Sequence, residues 1–488
     1  MANQAGELSY AVRPHIILKH FGQLCLVLAA LTLVPLAVSI IFGETPITFR
    51  YVVVEISLLL LLGTVLARRP SPSDMQTNEG MVLVALMFAF SPLVMSYPMM
   101  ASGLSFIDAL FEAISGVTTT GLSTVSTLSG LPETFLFSRV WMQWYGGLGI
   151  VVLSLALLVH PGLVAKGLAS TEAEVNDLIG GTKAHARRVI KVYLILTAIG
   201  IAGALLAGMS GMDAVRYTLA SVSTGGFAPY DNSLAALSSV AQWWVSLLCL
   251  AGAVPLTLYY RALRERQNLP VDMLQLYSVI GAALITTLLL GTSMRLVDGM
   301  PWADVLHHAP MLAFSAQSTA GFASMPCSDL DADSKLVLIY SMLIGGGTGS
   351  TAGGFKIVRL LIVIAIFRMI ILRACLSRHA VLEPRLGARK LQNSEIQEAM
   401  LLILLFIIVV AISWLPFLVL GYNPLDALFE VVSATGTVGL SSGITSASLP
   451  ALLKAVLCAD MLMGRLEIIA WLVLLYRGTW FGTRMEAA

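Results

Sequence analysis

The sequence predicts an all-α integral membrane protein in which a two-helix leader precedes four pseudo-fourfold helix, re-entrant loop and helix repeats around one central pore. The first observation is composition: of 488 residues, 57% are hydrophobic and 12% charged, against roughly 25% charged in soluble proteins. Apolar runs near the roughly 20 residues that cross a bilayer recur along the whole chain. Two leading spans and two spans in each repeat give ten, with both termini in the cytoplasm.

The second observation is a polar loop that occurs four times with the pattern T-x-G-[LF]-[SA]. Each copy follows a short semi-apolar segment, near 108–120, 213–225, 308–320 and 426–438, which is too short to cross a bilayer and suits a re-entrant half-helix. The residues of the four loops are Thr119, Thr120 and Gly121; Thr224, Gly225 and Gly226; Thr319, Ala320 and Gly321; and Thr437, Val438 and Gly439.

Flanking residues keep nearly the same distance from each loop glycine, as an internal repeat requires. An aspartate precedes three of the glycines at the same offset, whereas the third copy has His308 there and Asp304 one turn earlier. A further glycine lies about 25 residues after each loop, at Gly146, Gly252, Gly345 and Gly464. The predicted units are a leader at 1–78, whose first helix is expected to be retained, and repeats at 79–182, 183–268, 269–392 and 393–488.

The charges and the cysteines further restrict the possible functions. When the amino terminus is placed in the cytoplasm, most Lys and Arg residues fall on the cytoplasmic side, as is typical of multi-pass proteins. Acidic residues remain on the outer side, where they concentrate cations. The five cysteines are scattered and mostly lie inside apolar runs, which predicts neither a disulfide framework nor a metal site.

The loop composition indicates a cation filter. Main-chain carbonyls replace the water around an ion without adding a fixed charge, and glycine permits the backbone conformations that this needs. The half-helices would point their carboxyl ends, which carry partial negative charge, at the passing ion. We interpret Asp108, Asp213 and Asp426, at the opposite ends, as helix caps rather than ion ligands.

With these motifs in place, the chain resembles the Trk/Ktr/HKT superfamily of potassium transporters over residues 80 to 480, and in particular its bacterial TrkH type. The resemblance is carried by the four loops and by three further runs: Gln143–Ile150 (QWYGGLGI), Gly349–Lys356 (GSTAGGFK) and Gly464–Glu467 (GRLE). It implies that the four loop glycines form a filter that prefers potassium, with potassium as substrate and no cofactor. It also implies a homodimer in the bacterial inner membrane and a cytosolic nucleotide-binding ring of the TrkA type.

Two features are candidates for a gate. Glycine makes up most of the run Gly345, Gly346, Gly347, Thr348, Gly349, Ser350, Thr351, Ala352, Gly353 and Gly354, which disfavours a helix. Unwound backbone at membrane depth survives where it is buried in protein or lines a wet cavity, and the resemblance makes this run an intramembrane gating loop. Arg465 either lies across the ion path as a barrier or pairs with Glu467 or Asp460.

The sequence leaves a coupled carrier open and disfavours an enzyme and a nucleotide-binding loop. A potassium carrier coupled to protons or sodium would need carboxylates at the midplane, of which the pore segments offer Asp460 beyond the helix-start aspartates. An enzyme is not predicted, because the spans show no nucleophile with a base and no metal cluster. The glycine-rich run also matches nucleotide-binding patterns, but it lies inside an apolar span and lacks an adjacent Gly-Lys pair.

Overall fold

The computed structural model describes residues 11–70, 75–158, 178–264, 270–376, 382–387 and 389–481. Helices dominate this part of the chain, as the sequence predicts. The leader is a hairpin of α1 (Pro14–Ile41) and α2 (Thr45–Ala67), and α2 widens into a π-helix at Val54–Leu60. It is docked on the first repeat by a bidentate contact from Arg13 to Glu79 (Nε to Oε1, 2.7 Å).

Each repeat consists of a long first helix, a short helix followed by a loop, and a second helix. The first helices are α3 (Thr77–Met99), α6 (Leu178–Leu206), α10 (Pro270–Leu296) and α14 (Asn393–Val419). The short helices are α4 (Phe106–Val117), α7 (Gly211–Val222), α11 (Trp302–Ser318) and α15 (Pro424–Thr435). The second helices are α5 (Glu133–Leu158), α8 (Ser239–Ala253) with α9 (Leu256–Arg264), α12 (Ala332–Ile344) with α13 (Ile357–Cys375), and α16 (Ala451–Arg465) with α17 (Ile469–Leu475) and α18 (Arg477–Trp480).

A two-stranded antiparallel hairpin, β1 (Arg385–Leu386) and β2 (Arg389–Lys390), lies just before α14. Glu395, three residues after Gln392, accepts a hydrogen bond from the Gln392 backbone N–H (2.9 Å). This contact satisfies one of the free N–H groups at the start of α14. The predicted domain boundary at 268 lies outside the described residues.

The repeats are arranged in a ring, because the second helix of each repeat packs on the short helix of the next. The pairs are α5 with α7, α8 with α11, α12 with α15, and α16 with α4. Three of these four junctions carry an ion pair, which joins Glu133 to Arg216, Lys335 to Asp426 (2.8 Å) and Lys454 to Asp108 (2.6 Å). The remaining junction is apolar, with Trp243 against Phe314.

The aspartates at the starts of the short helices occupy the third helical position, not the cap itself. Ser105, Ser210 and Asn423 are the capping residues, and their side chains accept from the backbone N–H groups of the aspartates. The interpretation of the aspartates as caps is therefore wrong in its detail. Asp304 holds the same third position in α11, which begins at Trp302 and is longer than the other three. The third repeat thus keeps its aspartate at the helix start.

In the part of the chain that the structure describes, the second helices of repeats 2, 3 and 4 are broken, although the sequence predicts a break in the third repeat alone. In the second repeat α8 and α9 meet at an angle of 87°, just where Pro255 removes a backbone donor. In the fourth, Glu467 and Ile468 adopt positive φ of 57° and 65° between α16 and α17. Within the described residues six helices are long and apolar enough to cross a membrane, or seven if the bent pair is one span. The ten-span count stays a prediction.

Candidate functional site: a ring of four loops

The four T-x-G loops share one unusual backbone conformation. We call them loops 1 to 4 (119–123, 224–228, 319–323 and 437–441). The first threonine of every loop is left-handed, with φ values for Thr119, Thr224, Thr319 and Thr437 of 54°, 53°, 55° and 49°. Such values are uncommon for residues other than glycine. The glycine two positions later also has positive φ in every loop. The repeat seen in the sequence is therefore a repeat of conformation.

The glycines of these loops bring each loop against the next and close the ring. A Cβ placed on Gly121 would lie 2.3 Å from the Gly225 carbonyl oxygen, and one on Gly226 would lie 2.0 Å from the Ala320 oxygen. The same holds for Gly321 against the Val438 oxygen (2.1 Å) and for Gly439 against the Thr120 oxygen (2.1 Å). Because the contacts run from loop 1 to 2, 2 to 3, 3 to 4 and 4 back to 1, the loops surround one axis.

A cavity of about 260 Å³ opens on the side of the ring where the loops leave it. All four loop glycines line it, together with Ser123, Arg139, Asp231 and Ser441. Arg139 is buried; its Nε donates to Glu112 Oε2 (2.9 Å), and its guanidinium stacks over the Phe227 ring at 3.8 Å. The wall of this cavity therefore holds charged groups close to the loops.

The glycine-rich segment (345–354) lies against the opposite side of the ring. Gly353 N donates to Thr319 Oγ1 (2.6 Å), and Gly354 N donates to the Gly436 carbonyl (3.0 Å). Thr351 Oγ1 donates to the Val222 carbonyl (3.0 Å) at the end of α7. The segment thus contacts repeats 2, 3 and 4 at the points where their short helices end. Hydrogen bonds to these neighbours satisfy part of its backbone, which helps it to remain unwound.

Arg465 contacts this segment and neither of the acidic residues considered as partners. Its Nη1 donates to the Thr351 carbonyl (2.7 Å), while its Nε and Nη2 have no partner among the described residues. Glu467 instead pairs with Arg359 (2.6 Å), and Asp460 accepts from Ser413 (2.5 Å). The ion-pair alternative for Arg465 is therefore wrong. The residue is a buried cation that is held to the glycine-rich segment by one hydrogen bond.

The second glycine of each repeat has a packing role in three of the four copies. A Cβ on Gly146, Gly252 or Gly464 would lie 2.1, 2.8 or 1.8 Å from a carbonyl oxygen of Val117, Val222 or Thr435, respectively. These carbonyls belong to the last residues of the short helices. Glycine therefore lets each second helix touch the carboxyl end of its own short helix. Gly345 differs, because a Cβ there would meet Gly353 within the unwound segment.

Gln143 is a site residue whose role the sequence does not reveal, although it begins the run Gln143–Ile150. Its Nε2 donates to the Gly225 carbonyl (2.5 Å), and its Oε1 accepts from Phe227 N (3.2 Å). It thus holds loop 2 from both sides of Gly226, and its own side chain is fully buried. A polar residue within an apolar span is a signal that such a partner exists.

Replacing Gln143 with Leu is expected to loosen loop 2. The change leaves the Gly225 carbonyl and the Phe227 N–H buried without partners, and each such loss costs about 1–3 kcal/mol. We expect a lower thermal unfolding midpoint in detergent, measured with the purified protein. Gln242→Leu is a control, since that amide donates to the Leu237 carbonyl away from the loops. A midpoint lowered no more by Gln143→Leu than by Gln242→Leu, which loses one hydrogen bond outside the loops, would contradict the assigned role of Gln143 in holding the loop.

Comparison with known proteins agrees with this architecture. The family model TrkH, described as a cation transport protein, matches residues 65–270 and 267–477. A chain from Methanocaldococcus jannaschii named uncharacterized cation transporter MJ1485 is 30% identical over 460 residues, covering 94% of both chains. The Trk system potassium uptake protein TrkI of Halomonas elongata is 31% identical over 483 residues, covering 95% of this chain and 96% of its own.

The fold is also that of a solved membrane transporter. The crystal structure of the potassium transporter TrkH from Vibrio parahaemolyticus superposes with a TM-score of 0.83 at 25% identity, covering 96% of this chain and 100% of that one. These matches confirm the resemblance seen in the loops, and they belong to transporters rather than enzymes, as the sequence predicts. The chain is a multi-pass membrane protein and belongs to the TrkH family of cation transport proteins.

Proposed function

We propose that this protein takes up potassium across the cell inner membrane through a gated, potassium-selective pore made by loops 1 to 4, with rubidium as a second permeant ion and no cofactor. The observation that carries the proposal is the closed ring, in which each loop glycine touches a carbonyl of the next loop. Relatives named potassium uptake proteins support the choice of ion.

The chemistry of the ring suits a dehydrated monovalent cation. Loop carbonyls and threonine hydroxyls supply oxygens without a fixed charge. The carboxyl ends of α4, α7, α11 and α15 meet at the ring and add partial negative charge. The cavity beside the loops is then the outer entrance, and the acidic residues around it concentrate cations. Ten spans with both termini in the cytoplasm complete the proposed topology.

The gate in this proposal is the glycine-rich segment together with Arg465. The segment lies directly beneath the ring, and Arg465 adds a buried positive charge that opposes a cation. A cytosolic nucleotide-binding ring of the TrkA type would control its opening, and two protomers would each contain a pore. The ion pair between Arg359, at the start of α13, and Glu467 links the segment to the break after Arg465.

Rubidium flux tests the proposal directly. Proteoliposomes loaded with potassium should accumulate radioactive rubidium, external potassium should compete, and external sodium should compete weakly. Vesicles without protein, and vesicles with the same protein but loaded with sodium, are the controls. If no monovalent cation moves into the potassium-loaded vesicles, the proposed function is refuted.

One observation favours a carrier as the second candidate. Asp460 is fully buried in α16, and its Oδ2 has no partner among the described residues. A buried carboxyl of this kind is a typical proton site in coupled carriers. Rubidium uptake against its gradient, driven by an imposed proton gradient at zero membrane potential, would favour the carrier, especially if Asp460→Asn abolished it. A pore would show no such accumulation.

A further inference from the structure

Repeats 1 and 4 each place a fully buried glutamate behind their loop, so the prediction that Asp460 is the only carboxylate of the pore segments beyond the helix-start aspartates is wrong. Glu112 in α4 and Glu430 in α15 occupy equivalent positions in the same sequence, Asp-Ala-Leu-Phe-Glu. Repeats 2 and 3 have Tyr217 and Leu312 at this place. The ring therefore has carboxyl groups behind two of its four loops.

The two glutamates hold their loops through the same first oxygen. Glu112 Oε1 accepts from Ser123 Oγ (2.7 Å) and Thr124 N (2.8 Å). Glu430 Oε1 accepts from Ser441 Oγ (2.5 Å) and Ser442 N (2.8 Å). The serines and the backbone N–H groups follow the two loop glycines at identical offsets. Bracing of the loop is thus common to both repeats.

The second oxygen distinguishes the two repeats. Glu112 Oε2 accepts from Arg139, so that the carboxylate is neutralised by a buried cation. Glu430 Oε2 accepts from Thr445 Oγ1 (2.7 Å), and Leu457 occupies the place that corresponds to Arg139. No cation contacts Glu430 within the described residues, and the nearby Lys335 is engaged by Asp426.

Three hydroxyls and one backbone N–H are directed at the two oxygens of Glu430, and the Ser442 hydroxyl is shared with the Asp426 carbonyl oxygen (3.1 Å). These donors oppose the desolvation that burial imposes on the carboxylate. Two of its partners, Ser441 and Thr445, line the cavity beside the ring. The charge of Glu430 therefore lies one side chain behind the cavity wall. On the side of repeat 1, the wall carries the guanidinium of Arg139 instead.

We propose that Glu430 is an affinity-determining residue of the pore, whose unneutralised charge draws cations towards the fourth loop. This inference rests on the proposed function, because it assumes that cations enter through the cavity. The asymmetry between repeats 1 and 4 is then functional. Bracing needs the carboxylate alone, whereas attraction needs a carboxylate without a partner cation.

Two variants eliminate the unneutralised charge of Glu430 in different ways. Glu430→Gln removes it directly, and Leu457→Arg copies the ion pair of repeat 1 while keeping the bracing carboxylate. We expect both to raise the half-saturating rubidium concentration by roughly fivefold, which corresponds to about 1 kcal/mol of lost attraction. Asp329→Asn is the matched control, because it removes a charge that is exposed to solvent and screened.

The inhibitory concentration of external barium distinguishes a lost charge at Glu430 from a loosened loop. A Coulomb energy doubles for a divalent ion, so the fold-change in the inhibitory barium concentration should approach the square of the fold-change for rubidium. Loosening of the loop alone is not expected to make the barium fold-change the square of the rubidium fold-change. If Leu457→Arg does not fold, Glu430→Gln alone tests the proposal, since Gln has nearly the same shape as Glu.

The outcomes distinguish this inference from the proposed function. If the wild type transports rubidium and Glu430→Gln has unchanged rubidium and barium constants, Glu430 does not have the proposed role. The proposed pore is unaffected by that result. Equal fold-changes for rubidium and barium also overturn it. A wild-type protein that moves no rubidium overturns both proposals.

Discussion

Replacing Gly121 with Ser is expected to reduce discrimination between potassium and sodium by roughly tenfold, which corresponds to about 1.4 kcal/mol of differential barrier. A Cβ at this position would lie 2.3 Å from the Gly225 carbonyl oxygen, and φ is +93°. That carbonyl is held by Gln143, so it cannot move aside without breaking a buried hydrogen bond. Loops 1 and 2 must therefore separate, and in the proposed filter a wider ring would fit a dehydrated potassium ion less well.

The measurement is competition of sodium against rubidium uptake in proteoliposomes. Gly130→Ser is the matched control, because Gly130 also has positive φ (+85°) but has nothing within 4 Å of the added atom. It incurs the backbone strain of about 1 kcal/mol without the collision between loops. Similar selectivity in the two variants would show that strain, and not contact around the ring, governs discrimination.

The sequence predicts those parts of the site that depend on short-range patterns. The short helices are too short to cross a bilayer, and each loop glycine is needed where a neighbouring backbone approaches. Both properties depend on a few consecutive residues. Pro255 is also a local signal, and the break that it produces in the second repeat could have been predicted.

The contacts between repeats could not be predicted in the same way. The positive φ of Glu467 and Ile468 has no local signal, since a β-branched residue such as Ile strongly disfavours that conformation. The partner of Arg465 depends on where the glycine-rich segment lies, and that in turn depends on three repeats. Glu467 is close to Arg465 in sequence, yet the break in the helix directs it to Arg359.

Replacing Arg465 with Ala is expected to raise rubidium flux about tenfold or more, which requires the barrier to fall by about 1.4 kcal/mol. The change removes the hydrogen bond to the Thr351 carbonyl, which holds the glycine-rich segment in place beneath the ring. It also removes a buried charge with no anionic partner among the described residues, and a cation in a region of low dielectric is repelled strongly by such a charge.

Two further variants separate these two causes. Arg465→Lys keeps the charge but cannot reproduce the geometry of the guanidinium, so an intermediate flux would assign part of the barrier to the hydrogen bond. Arg368→Ala removes an exposed positive charge from α13 and should leave flux unchanged. If Arg465→Ala transports no faster than the wild type, Arg465 is not the barrier. The gate would then have to be the glycine-rich segment alone, which stays bonded to α7, loop 3 and α15 without the arginine.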